Sequence, residues 1–321
     1  MKKQTKIAAA LSAAAFMMMV SGLPVYAASY GWVTEGDAKV YYDEDGYLTT
    51  DAWRKRGEDW FYLGEDGQIV KSKKIDEYYV DDEGKMVTNA WVELKNEEDP
   101  DSPETPDTFW YYFEKDGKSA VSKWVKFDSK WYYFDESGHM ATGKTEIDGA
   151  TYYLGTEKDG FMRTGWIRLE ENSHAPGASE SWYYFNSDGK MVTTQYDKKI
   201  DGSYYTFIDG KMQTGWVLMP SKSDVTDSNA ASPRITDYQY YGAAGDGKRA
   251  EGFRSIEGIS GIHAADEVYT FYFKAGKPYV SDKKGNSLFT INAKKYAFSD
   301  LGIMQTGRQI ANVANDEILL R

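Results

Sequence analysis

Residues 123–143 read KWVKFDSKWYYFDESGHMATG, and this stretch decides the fold. Trp131, Tyr132, Tyr133 and Phe134 are strong strand formers. Asp135 to Gly138 is a turn signal, and His139-Met140-Ala141 begins a return strand. Alternation along a strand puts Trp131 and Tyr133 on one face and Tyr132 and Phe134 on the other. A lone two-stranded hairpin is marginal in water, so a unit like this needs neighbours to stack on.

The neighbours are in the sequence. The same skeleton recurs as DAWRKRGEDWFYLGEDGQIV from Asp51, FWYYFEKDGKSAVS from Phe109 and SWYYFNSDGKMVTT from Ser181. Weaker copies run from Glu77 (EYYVDDEGKMVTN), Thr151 (TYYLGTEKDGFMRTG) and Ser203 (SYYTFIDGKMQTG). A turn glycine falls at Gly46, Gly67, Gly84, Gly117, Gly138, Gly160, Gly189, Gly210, Gly276 and Gly302, with a degenerate copy at Gly247; the shortest spacings cluster near about 21 residues. Such periodicity is the signature of a repeat architecture, in which each unit contacts only its neighbours. The expected fold class is therefore all-β, a repeat solenoid of stacked β-hairpins. Met86, Met140, Met162, Met191, Met212 and Met304 each stand two residues after a turn glycine and are expected to seal one hairpin against the next. Polar insertions at 96–108, 170–180 and 221–237 fall between a leading tryptophan and the following aromatic strand, where a hairpin can lengthen without breaking the stack. The organisation expected is a leader over 1–27, tandem aromatic repeats over 28–248, and diverged repeats with a C-terminal cap over 249–321.

The leader reading rests on Lys2, Lys3 and Lys6, the apolar stretch Ile7 to Val20, and the small residues of Val25-Tyr26-Ala27 before a cleavage point. The competing reading, a membrane anchor, is disfavoured because the stretch is short and is followed by Gly22 and Pro24. A secreted protein located at the cell wall or cell surface, with no membrane insertion, is the expectation. The absence of cysteine excludes a disulfide scaffold, thiol catalysis and cysteine–metal sites. A net charge of −12, or about −15 without the three leader lysines, repels phosphates, so nucleic acid is not an expected partner.

Catalytic patterns are missing. Carboxylates cluster at Asp43-Glu44-Asp45, Asp81-Asp82-Glu83 and Glu97-Glu98-Asp99, in turns or in the acidic insertion, where Asp and Glu serve turns and solubility. None has calcium-loop spacing, and His139, His174 and His263 stand apart without a metal or nucleophile motif. The reading is of a binding protein and not an enzyme, with no cofactor and no metal.

The arrangement TGW…WYYF…G-x-M resembles the cell-wall-binding repeats, a family that includes choline-binding modules and related glucan-binding repeats, over nearly all of the chain after the leader. In choline-binding members the ligand sits between consecutive hairpins, walled by two tryptophans of one repeat and a tyrosine of the next. Carried onto this sequence, the resemblance pairs Trp53 and Trp60 with Tyr78, Trp91 and Trp110 with Tyr132, Trp124 and Trp131 with Tyr152, and Trp166 and Trp182 with Tyr204. Aromatic faces suit a quaternary ammonium, which donates no hydrogen bond, and they also suit sugar rings, so the walls alone do not choose the ligand. The implied partner is a cell-wall polymer, either choline-decorated teichoic acid or a polysaccharide such as glucan; host glycan is the alternative. The copies at Glu77, Thr151 and Ser203 lack the strand tryptophan, and those at Lys144 and Tyr196 lack the leading one. Trp32 is expected to face only Tyr41 of its own repeat, and Trp216 to meet Tyr238 or Tyr240. Any of these tryptophans can alternatively serve as packing between hairpins.

Overall fold

The computed structural model describes residues 30–97, 106–170, 180–220, 232–243, 245–264, 266–307, 309–313 and 316–320. The expected leader lies outside them. The chain divides into two units on either side of the Val121–Ser122 bond.

The first unit holds four hairpins. They are β1 (Gly31–Glu35) with β2 (Ala38–Tyr42), β3 (Ala52–Arg56) with β4 (Asp59–Leu63), β5 (Lys73–Ile75) with β6 (Tyr78–Val80), and β7 (Ala90–Lys95) with β8 (Thr108–Phe113). The second unit continues with β9 (Lys123–Phe127) and β10 (Lys130–Phe134), then β11 (Lys144–Ile147) and β12 (Ala150–Tyr153), then β13 (Gly165–Glu170) and β14 (Glu180–Phe185). Hairpin 8 is three-stranded, with β15 (Gln195–Ile200), β16 (Ser203–Ile208) and β17 (Lys211–Met212), and hairpin 9 pairs β18 (Gly215–Leu218) with β19 (Tyr238–Tyr241). Hairpin 10 is β20 (Gly252–Glu257), β21 (Val268–Lys274) and β22 (Lys277–Pro278). Hairpin 11 forms the last sheet from β23 (Asn286–Ile291), β24 (Lys294–Ser299), β25 (Gln309–Val313) and β26 (Asp316–Leu320). The only helical element among the described residues is a single 3-10 turn at Ile235–Asp237.

The paired strands lie one turn earlier than the sequence suggested. Trp124 pairs with Tyr133 and Lys126 with Trp131, around a two-residue tip at Asp128 and Ser129, both of positive φ (47° and 64°). That tip geometry matches the twist of the strands it joins. The Asp135–Gly138 turn follows the hairpin, and its return segment contributes one bridge, Phe134 with Met140. Asp135 shapes this turn: its Oδ1 accepts from the amides of Ser137 (2.9 Å) and His139 (2.9 Å). Asp43 and Asp81 do the same in their turns, so these carboxylates are spent on backbone amides. The strands flanking the three insertions pair with each other in register: Lys95 opposite Thr108, Glu170 opposite Glu180, Leu218 opposite Tyr238.

In hairpins 2 to 11 one recurring position is fully buried. It closes the second strand and is occupied by Leu63, Val80, Phe113, Phe134, Leu154, Phe185, Phe207, Tyr241, Phe273 and Phe298, each 0% exposed. We call this the anchor. Within each unit, backbone bonds tie neighbouring hairpins in the same phase. Met86 N donates to Trp60 O, Met162 N to Trp131 O, Met191 N to Thr151 O, Arg249 N to Tyr204 O and Met304 N to Thr270 O, all at 2.7–2.8 Å. Every acceptor is three residues before an anchor.

Met86, Met140, Met162, Met191 and Met212 seal the stack as expected. A Cβ added at Gly117 would meet the Met86 sulfur at 2.7 Å, at Gly160 that of Met140 at 2.2 Å, at Gly189 that of Met162 at 2.2 Å, and at Gly247 that of Met212 at 2.4 Å. Each methionine thus lies on the turn glycine of the following hairpin. A flexible thioether suits this irregular gap.

Candidate aromatic cages between hairpins

The leading tryptophan of a hairpin stands opposite the residue just before the anchor and rests edge-on against that ring: Trp53 on Tyr62 (5.3 Å), Trp124 on Tyr133 (5.3 Å), Trp166 on Tyr184 (5.1 Å). It also reaches across to the ring two residues before the anchor of the next hairpin. Trp53 meets Tyr78 at 5.3 Å and Trp124 meets Tyr152 at 5.0 Å, with interplanar angles of 63° in both pairs. Trp166 meets Tyr205 at 4.8 Å and 62°. The strand tryptophan, three residues before the anchor, completes the arrangement. Trp60 and Trp131 are each 41% exposed, and Trp182 stands 6.4 Å from Trp166 at 83°. Trp91 and Trp110 form the same pair in the first unit, 6.4 Å apart at 72°, while Tyr132 belongs to the second unit and is half-buried.

Beside Trp166 the arrangement lines an open cleft. A cavity of 270 Å³ is lined by Trp166, Trp182, Tyr205, Met212, Gly245, Asp246 and Lys248. Asp246 and Lys248 lie 3.3 Å apart at its edge, so the cavity has three aromatic walls, a thioether and an ion pair. Larger depressions of 620 and 720 Å³ lie elsewhere, and neither is lined by tryptophan. No group of side chains among the described residues is arranged to hold a metal. His263 is a packing residue, its Nδ1 accepting from Ile259 N (2.8 Å) and its Nε2 2.9 Å from Leu301 O.

The structure places Tyr205, not Tyr204, against Trp166. Taking the first tyrosine of the doublet fails in hairpin 8, because Thr206 separates Tyr204-Tyr205 from the buried Phe207, where Tyr78-Tyr79 and Tyr152-Tyr153 directly precede the anchors Val80 and Leu154. Counting back from the buried Phe207 assigns Tyr205 to the tyrosine wall and Tyr204 to the strand-tryptophan position. Its ring is covered by the Arg249 guanidinium at 4.1 Å. Trp32 likewise does more than face Tyr41 (5.5 Å), since it meets Phe61 of the next hairpin at 5.8 Å. Trp216 meets Tyr240 (5.3 Å) and also Phe271 (5.1 Å) and Phe273 (5.4 Å) of hairpin 10. Phe61 and Phe271 each stand two before an anchor, as Tyr78, Tyr152 and Tyr205 do.

Stacked hairpins with ring-walled gaps between them define a repeat protein of the aromatic binding type. Residues 121–166 match the family described as a choline-binding repeat, and residues 178–191 match a putative cell wall binding repeat. In these windows the chain carries repeats of the choline-binding, cell-wall-binding family. A flagellin protein family also matches 3–91; the described part of that range consists of hairpins like the rest. Curated relatives include Glucosyltransferase-S of Streptococcus mutans, 27% identical over 75% of this chain and 14% of that protein. Another is Glucosyltransferase-I of Streptococcus downei, 26% identical over 84% of this chain and 18% of that protein. The chain thus spans less than a fifth of the length of either. Among solved structures, the modular autolysin LytC of Streptococcus pneumoniae is similar at a TM-score of 0.51 and 21% identity, over 86% of this chain and 53% of that one. CbpJ of the same organism is similar at 0.52 and 20%, over 90% and 99%. These likenesses show the fold.

Proposed function

We propose that the chain is a non-catalytic binding protein of the bacterial surface that attaches to envelope polymers through its inter-hairpin cages, taking choline or a similar quaternary ammonium group. The observation that carries this reading is the 270 Å³ cavity between Trp166, Trp182, Tyr205 and Met212. Ring faces attract a cation through their quadrupole, and a quaternary ammonium demands no hydrogen-bond acceptor in return. Asp246 at the edge of the cavity is paired with Lys248, so the attraction for a cation rests on the rings. The cages at Trp53, Trp60 and Tyr78 and at Trp124, Trp131 and Tyr152 share the ring geometry; Trp91 with Trp110 in the first unit, and Tyr132 in the second, are proposed as further ligand-binding residues. The matched repeats support attachment at the cell wall, with choline-decorated teichoic acid as the proposed polymer.

A second reading is glucan binding, favoured by the two glucosyltransferase relatives. Sugar rings stack their apolar faces on the same aromatics. Retention of the protein on envelope material, eluted in parallel with choline and with soluble glucan, separates the two. Elution by choline alone supports the first reading. Elution by glucan alone replaces it with the second.

A further inference from the structure

Not every gap between hairpins is walled by tryptophan, and two of the exceptions, after hairpins 3 and 6, share a feature. In hairpin 3 the residue opposite Tyr79, just before the anchor Val80, is Lys74. This is the register place that Trp53, Trp124 and Trp166 hold opposite Tyr62, Tyr133 and Tyr184. In hairpin 6 the residue opposite Tyr153, before the anchor Leu154, is Lys144. The strand-tryptophan place in these hairpins is also changed, to Glu77 and Thr151. Both lysines reach the ring that a tryptophan-led cage would offer to its ligand. Lys74 Nζ lies 4.5 Å from the centre of the Tyr111 ring, two before the anchor Phe113, and Lys144 Nζ lies 5.3 Å from that of Tyr183, two before the anchor Phe185.

We infer that Lys74 and Lys144 are resident cations: each closes its gap with the chain's own ammonium, so these two steps take no ligand and serve as fixed spacers between ligand-taking cages. The inference rests on the cation reading of the cages given above. Two other lysines come near cage rings but hold different positions. Lys126 pairs across its own hairpin with Trp131, 5.7 Å from that ring, and Lys118, 5.9 Å from the Tyr78 ring, is bound to Glu77 at 2.5 Å. Only Lys74 and Lys144 occupy the tryptophan's own place. The gap after hairpin 8 is closed by other means. There the position two before the anchor is Gln239, which is buried and accepts from the Tyr241 hydroxyl at 3.0 Å, while Arg249 pairs with Asp197 at 2.9 Å.

The test is nuclear magnetic resonance of the full chain with labelled lysine, titrated with free choline. An ammonium over a tyrosine face carries ε-methylene signals displaced upfield by the ring current. Two such signals are expected, assigned by their separate loss in Lys74→Ala and Lys144→Ala, and removed for Lys144 by Tyr183→Leu. Saturating choline is expected to shift the tryptophan indole signals and leave these lysine signals unmoved. Absence of upfield lysine signals, or their return to the ordinary lysine position as choline is added, overturns the inference. A second arm installs the missing walls: K144W with T151W is expected to raise the number of bound cholines by one. An unchanged count in a variant that folds also overturns it. Choline that leaves every indole signal in place refutes the cation reading of the cages themselves, a failure visible separately from the lysine signals.

Discussion

The contact that sets hairpin spacing is testable at Gly189. This residue has φ +80°, and a Cβ added to it would stand 2.2 Å from the Met162 sulfur and 2.7 Å from its Cγ. Gly202 provides a matched control, with φ +84° at the β15–β16 tip and nothing within 4 Å of an added Cβ. Alanine at either place carries the cost of a left-handed backbone, about 1–2 kcal/mol. At Gly189 the methionine must also move out of the gap it fills, and overpacking adds about 1–3 kcal/mol. The thioether is flexible, which favours the lower part of that range. Gly189→Ala should therefore destabilise the protein by about 2–4 kcal/mol, and Gly202→Ala by about 1–2. Urea denaturation followed by circular dichroism reads both, provided the slopes agree. The pair Gly189→Ala and Met162→Ala should cost less than the sum of its parts, because removing the thioether removes the collision. Equal costs at Gly189 and Gly202, with strict additivity to Met162→Ala, would refute the methionine-on-glycine account of the stack.

Three further outcomes are expected. Replacing Trp60, Trp110, Trp131 and Trp182 together by alanine should abolish most retention on envelope material while the strand signal in circular dichroism survives; a folded quadruple variant that is retained like the parent means the ligand lies elsewhere. Tyr205→Ala should remove one bound ligand from the total measured by calorimetry, whereas Tyr204→Ala, which loses only the rings' contact with Arg249 and Lys199, should leave the number unchanged. Burial pushes the phenols of Tyr62, Tyr79, Tyr132, Tyr133 and Tyr240 up, and that of Tyr241 furthest. A group whose pKa is raised on folding contributes stability that is complete below its unfolded value of about 10 and is lost as pH rises through the folded value. Urea midpoints should accordingly hold between neutrality and about pH 9 and then fall, in step with tyrosinate absorbance; midpoints that rise with alkalinity would contradict the burial of these rings.

The hairpin skeleton was legible because strand formers and turn glycines recur in one phase, and because the methionines mark the seam. What sequence reading misplaced traces to one choice of reference. The first tyrosine of a doublet is the wall where the doublet directly precedes the anchor, as at Tyr78 and Tyr152, but in hairpin 8 Thr206 intervenes and Tyr205 takes the place, while the anchor cannot shift without exposing a large ring. The turn signal at Asp135–Gly138 is strong, yet the two-residue tip at Asp128-Ser129 carries the hairpin; without glycine, only its positive φ angles betray it. The role of Lys74 was hidden for a related reason. A lysine in an exposed strand reads as a solubility residue, and its equivalence to Trp53 appears only once Tyr79 is seen to lie opposite it.

Alternating open and closed gaps also bear on how such a chain can hold a surface. One ring wall offers a cation about 0.5–2 kcal/mol, so three walls give a cage of roughly millimolar affinity, about 4 kcal/mol. A single cage at that strength releases its ligand too readily to retain a protein. Cages linked on one chain and facing a polymer that repeats the same group gain about 10²–10⁴-fold without any new contact, provided the spacing of cages suits the spacing of groups. A closed gap then has a use that an empty one lacks: it fixes the register between hairpins with the chain's own ammonium and adds no competing weak site. Free ligand, by contrast, gains nothing from linkage and must reach about the millimolar range of a single cage to displace the polymer. Filling the spacer at Lys144 with tryptophan walls should therefore add to the count of bound small ligands and yet change polymer retention little, unless the polymer's groups happen to fall at that step.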